Sequence, residues 1–152
     1  MASIDLDDIQ NKFINNLKND AELSDGLPEQ IQIYKGVRRI KNVSHKFALF
    51  VYRERNSEPN YHLGSQQYDV EPILNLVCLI RSPFDPEKIE EYTNNFASNV
   101  LNHIFEHKIE NGYWAYAKHM GSTAVTIRDD KQQDYEIEII PVKLGIFNIT
   151  AR

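Results

Sequence analysis

Ile73-Leu74-Asn75-Leu76-Val77-Cys78-Leu79-Ile80-Arg81-Ser82-Pro83-Phe84-Asp85-Pro86-Glu87 holds both kinds of element that define the fold. The run is apolar on both alternating faces from Ile73 onward, which predicts the longest strand, Val70 to Arg81, in a central or doubly covered position. Pro72 suits an edge position or a strand start, because proline cannot donate to a ladder. Ser82-Pro83-Phe84 stops the strand. Asp85 is then a good N-cap and Pro86 a good first helical residue. Beyond them Ile89, Tyr92, Phe96, Ala97, Val100, Leu101 and Ile104 keep one face apolar, with Gly112 as the expected stop.

Upstream, Leu6, Ile9, Phe13, Ile14 and Leu17 make an amphipathic helix with Asp5, Asp7 and Asp8 at its start and Lys18 at its end. Asp25-Gly26 and Pro28 break it. A short strand at Ile31–Tyr34 leads into a basic connector, and Lys46–Tyr52 is a second strand apolar on both faces. Residues 56–68 are polar and long for a connection in a small domain, a pattern typical of functional loops.

Downstream, Tyr113–Lys118 and Thr123–Arg128 read as strands, with a hairpin turn over 129–133. In Tyr135-Glu136-Ile137-Glu138-Ile139 apolar residues alternate with acids, so the isoleucine face is expected buried and the acidic face wet. Pro141 and Gly145 are expected to interrupt before a last segment, Ile146–Ile149. The predicted order is α-β-β-β-α-β-β-β. It describes one α+β domain over residues 1–152, a single mixed or antiparallel sheet with two helices mainly on one face.

Composition narrows the function classes. The 152 residues carry a net charge of −5, against the basic footprint of a general nucleic-acid binder. The lone cysteine, Cys78, permits no internal disulfide and reads as a buried, inert thiol in mid-strand. The acidic start lacks the apolar core of a signal peptide, and no apolar run reaches the ~20 residues of a membrane helix. A cytoplasmic setting with no membrane contact is expected.

Catalytic patterns are weak. His103-Ile104-Phe105-Glu106-His107 matches the His-x-x-Glu-His spacing of inverted zinc peptidases. A third ligand could come only from Glu136 or Glu138. The plainer reading makes His103 and His107 last-turn residues beside the apolar stripe, favoured there by the helix dipole. Lys35, Arg38, Arg39, Lys41 and Lys46 could meet phosphate, with Tyr113, Trp114 and Tyr116 stacking on bases, but a solvated connector fits the acidic chain better. Asp129, Asp130 and Asp134 lack EF-hand spacing. There is no Gly-x-Ser-x-Gly elbow and no Gly-rich phosphate loop. The expectation is a non-enzyme without cofactor or metal. Two greasy strands exceed what two helices on one side of a sheet can cover, so either the sheet curls or its other face meets a partner. Repeated subunits with a heterologous interface can close into a ring, a reason to expect an oligomer.

The amphipathic first helix, the strand Phe47-Ala48-Leu49-Phe50-Val51-Tyr52, the polar loop through Gly64-Ser65-Gln66-Gln67 into Glu71–Ile80, the Asp85-Pro86 helix and the final pair ending near Ile149 together resemble the phage tail terminator, or tail-completion, family. Many terminators carry a proline just before the first buried strand, where this chain has Lys46. The resemblance implies a structural virion protein, assembled in the host cytoplasm: a ring, usually hexameric, that caps the tail tube and joins it to the head or neck. Its expected partners are further copies of itself, the tail tube protein and a head–neck connector protein, with DNA only passing through the lumen. Loop length and charge make Arg38, Arg39, Lys41, Arg53, Arg55, Tyr61, His62, Gln66, Gln67 and Tyr68 the candidate subunit or tube contacts. The alternatives are another head–tail connector or neck component, and a small zinc-dependent hydrolase built on the His-x-x-Glu-His segment.

Overall fold

A computed structural model describes residues 4–37, 45–55, 60–61, 67–81, 85–128 and 134–150. Helix α1 spans Leu6–Lys18 and α2 spans Pro86–Glu106. Eight strands follow the chain as β1 (Gln32–Lys35), β2 (Phe47–Arg53), β3 (Asn60–Tyr61), β4 (Gln67–Val70), β5 (Ile73–Arg81), β6 (Tyr116–His119), β7 (Thr123–Arg128) and β8 (Asp134–Thr150). The fold is α+β, with a mixed sheet, as the patterning predicts.

Both helices start where the chain can satisfy their first N–H groups. Asp5 accepts from the Asp8 N–H and Asp85 from the Lys88 N–H, each an N-cap side chain holding the first turn. Ile9, Phe13, Ile14 and Leu17 on α1 and Phe96, Val100, His103 and Ile104 on α2 are the buried stripes. Asn99 Nδ2 donates to the carbonyls of Leu23 and Asp25 at 2.9 and 2.7 Å, tying the segment after α1 to α2. Helix α2 stops at Glu106, with His107 as its cap, earlier than Gly112 predicts. Gly112 instead takes positive φ in the turn that brings Glu110 opposite Trp114.

The sheet runs β1-β2-β5-β8, with β1 parallel to β2 and the other pairs antiparallel. β8 is its spine. On one side β8 pairs with β5 along 135–143 and then with β4 near 146–150. On the other side it pairs with β7 and then β6.

Two expectations need correction here. The polar stretch contains two short strands, because β4 finds a partner in the far end of β8 and β3 pairs onto β4. Nor is the last strand broken at Pro141 and Gly145. The Pro141 carbonyl accepts from the Met120 N–H, so the missing proline N–H faces the same side, where the chain passes between β6 and β7 and no ladder donor is needed. Gly145 lies directly opposite Tyr116, and a Cβ there would clash with the Tyr116 ring.

The main core lies between the helices and one face of the sheet. It joins Phe13, Leu17, Phe96 and Val100 to Leu49, Leu76, Ile140 and Leu144. On the opposite face Ala48, Phe50, Leu79 and Tyr135 form a second, smaller cluster, with Tyr34, Val77 and Ile137 packed against it. Among the described residues neither helix contributes to this cluster.

The alternation in β8 therefore does not divide a buried face from a wet one. Ile137 pairs with Leu79 and Ile139 with Val77 on the helix-free face, whereas Glu136 pairs with Ile80 and Glu138 with Cys78 on the helix side. All four residues, Glu136 to Ile139, are half-buried. The reason is tertiary. At that point the helix side is a margin beside α2, and the other side is the second cluster.

Candidate interaction surfaces and the histidine pair

His103 and His107 sit at the end of α2, as the four-residue spacing predicts, and their surroundings are fully specified. The His103 ring is 1% exposed. Its Nδ1 is 2.7 Å from Asp20 Oδ2, and the Phe13 ring meets it edge-on with centroids 6.1 Å apart. His107 Nδ1 lies 3.0 Å from the His103 carbonyl, and Trp114 Nε1 donates to the His107 carbonyl at 3.0 Å. The Trp114 bond satisfies a carbonyl at the helix end, whereas the His103 carbonyl also accepts the His107 N–H.

The two imidazoles stack at 4.1 Å with planes 23° apart. Near-parallel rings point their in-plane lone pairs side by side rather than at one shared point, as a common metal ion requires. Glu136 and Glu138 line another groove together with Glu90, away from His103. Among the described residues no group of three His, Cys, Asp or Glu side chains converges as a metal site. Burial, the largest influence, holds the His103 pKa below its usual value, and the bond to Asp20 opposes it. His103 Nε2 is buried with no partner, a polar atom best kept unprotonated. What the pair does chemically is lock the end of α2 onto α1 and the Trp114 turn. Asp129 and Asp130 lie outside the described residues.

Cys78 is buried at 4% exposure, and desolvation raises its thiol pKa well above the ordinary value. Such a thiol is a poor nucleophile. The aromatic residues weighed as base-stacking partners have internal roles. Trp114 is 3% exposed, Tyr113 faces Lys12 Nζ at 5.3 Å, and Tyr116 covers Gly145 and meets the Phe147 ring.

Of the proposed contact residues, Arg38, Arg39, Lys41, His62 and Gln66 lie outside the described residues. Tyr61, Gln67 and Tyr68 are brought together in one ribbon, where Tyr61 pairs with Tyr68 and Gln67 with Thr150 of β8. Arg53 and Arg55 sit apart from that ribbon, at the end of β2. They line a groove of about 410 Å³ with Gln10, Lys35, Val37 and Tyr52. Lys35 is held there by an ion pair with Asp7, which also lowers the Asp7 pKa.

One feature is not legible in the sequence. Between α2 and the β7–β8 side of the sheet lies a groove of about 440 Å³, with Cys78, Ile80, Phe96, Ala97 and Leu101 toward the core and Glu90, Glu136 and Glu138 as its charges. The alternating acids of β8 were the available signal, but pairing them with Glu90 needs the packing of α2. Burial raises the Glu138 pKa, and His119 opposes that.

No known family model matches the chain, and no curated protein matches it.

Proposed function

We propose that this is a structural assembly protein of a phage tail, forming a ring of identical subunits that caps the tail tube and joins it to the head or neck. One observation carries the reading: both helices lie on one side of the sheet, while the other side keeps apolar residues at its surface. Val77, Ile137 and Ile139 are half-buried around the small cluster of Ala48, Phe50, Leu79 and Tyr135. A second copy laid against that face would remove this apolar area from water, worth about 25 cal/mol per Å². The centre of the face is already buried within one subunit, so the gain comes from its rim. That suits a subunit able to exist alone before it assembles.

The resemblance to tail terminators in the order of elements supplies the tube, and the acidic charge suits a lumen through which DNA slides. A ring of this kind works by interface matching: one end accepts the last tube ring and the other accepts the neck. Negative-stain microscopy of the purified protein is expected to show closed rings, which bind the head-proximal end of purified tail tubes. Single subunits by light scattering at micromolar concentration, together with no rings in stain, would sink the proposal. Rings that ignore tubes but bind the head's portal end would move the protein to the neck.

A further inference from the structure

The two charged grooves lie at opposite corners of the sheet. The acidic one is centred on Cys78 and Ile80 of β5, which pair with Leu49 and Phe47 at the start of β2. The basic one lies at the other end of β2, at Tyr52 and Arg53, and on the outer side of the sheet beside β1. Three to six residues of strand separate the two levels, on the order of 10–20 Å at ~3.3 Å per residue. The acidic groove has no cationic side chain in its lining, and the basic one has no acidic side chain.

Their unmet groups correspond. Among the described residues no ion pair reaches Glu90, Glu138, Arg53 or Arg55. Beside the two arginines Val37 stands 69% exposed, a small apolar knob flanked by positive charge. The acidic groove offers the reverse, an apolar floor at Ile80, Phe96 and Leu101 flanked by carboxylates. Two complementary patches at different places on one subunit meet reciprocally across a two-fold axis only if both fall within one interface. They can satisfy a neighbour repeatedly in one direction, which is the heterologous arrangement that closes into rings.

We infer that the occupant of the Glu90–Glu138 groove is a second copy of this chain, which inserts its Val37 corner with Arg53 and Arg55 against the carboxylates. This rests on the ring-forming reading above and names its contact. In the assembly each subunit gives its basic corner to one neighbour and its acidic groove to the other. Electrostatic matching of this kind sets direction and register more than raw affinity.

Charge exchange tests it. One double variant carries Arg53→Glu and Arg55→Glu, the other Glu90→Lys and Glu138→Lys. Circular dichroism checks folding, and native mass spectrometry with sedimentation velocity reads size. Wild-type protein is expected to assemble. Each double variant alone should remain as folded single subunits, its dissociation constant raised at least about tenfold. An equimolar mixture should reassemble with the two variants alternating. Folded variants that assemble like wild type, or a mixture no larger than its parts, would overturn the groove contact while leaving the ring intact. A wild-type chain that stays a single subunit overturns the ring reading itself, and the contact with it. Should Glu138→Lys prevent folding, Glu90→Lys mixed with Arg55→Glu decides by the same outcomes.

Discussion

The two faces of the sheet are made by the same strands and finished differently. On the helix side Leu49, Leu76, Ile140, Val142 and Leu144 are fully buried beneath Phe13, Leu17, Phe96 and Val100. On the other side full burial stops at Ala48, Phe50, Leu79 and Tyr135, and the apolar residues around them are only half-buried. Composition does not separate the faces, since β2 and β5 are apolar on both. What separates them is that the chain's only two described helices pack against one. The helix face should therefore govern folding, and the other face should govern what the folded subunit meets.

The sharpest break in that comparison is a deletion in the covered core. Leu76→Ala empties a fully buried site between the sheet and the helices, and it should cost about 2–5 kcal/mol in urea unfolding. A loss below ~1 kcal/mol would mean that the helix side is not the stabilising core.

Next in size is Gly145→Val. The new side chain meets the Tyr116 ring, and overpacking of this kind costs typically 1–3 kcal/mol, about the range expected here. Combining it with Tyr116→Ala should return part of the loss, because the clash has a single owner. If the double variant is simply additive, the Tyr116 ring is not what excludes a side chain at Gly145.

Which parts of this were legible in the sequence follows from how local their causes are. Asp85 and Pro86 announce α2 because a cap acts within its own turn, and α1 shows its stripe at helical spacing. β2 and β5 declare themselves as doubly apolar runs. By contrast, nothing near residues 60–61 or 67–70 marks β3 and β4, whose hydrogen bonds come from each other and from the far end of β8. Pro141 and Gly145 read as breaks by propensity. They are tolerated because of Met120 and Tyr116, partners that no window around them contains. The acidic groove was hidden for the same reason, since Glu90 and Glu138 meet only after α2 lies across the sheet.

Smaller still is a pH effect on the covered side. Burial lowers the folded-state pKa of His103 relative to its unfolded value near 6.5. In the window between those values the unfolded chain holds the extra proton, so stability rises with pH. The contribution is fully present above about pH 6.5 and is lost as pH falls toward the folded-state pKa, with a slope of at most about 1.4 kcal/mol per pH unit. Urea unfolding from pH 7.5 down to 5.0 should show this slope, and His103→Gln should flatten it. An unchanged slope in that variant would assign the titration elsewhere.

The smallest effect on folding falls on the face without helices, and it is the one that decides what that face is for. Ile139 is half-buried, next to Val77 and away from both helices, so Ile139→Lys leaves the main core untouched. A long amphipathic side chain can lie along the surface with its charge in water, and the unfolding free energy at low protein concentration should change by less than about 1 kcal/mol. Assembly should respond far more. A neighbour seated on this face would have to bury an unpaired ammonium, and such a charge is strongly disfavoured without a partner. Oligomer measured by sedimentation should therefore disappear in a variant whose unfolding curve matches wild type. Intact assembly with Ile139→Lys would show that the half-buried apolar rim contacts nothing, and ring closure would then rest on the charged grooves alone.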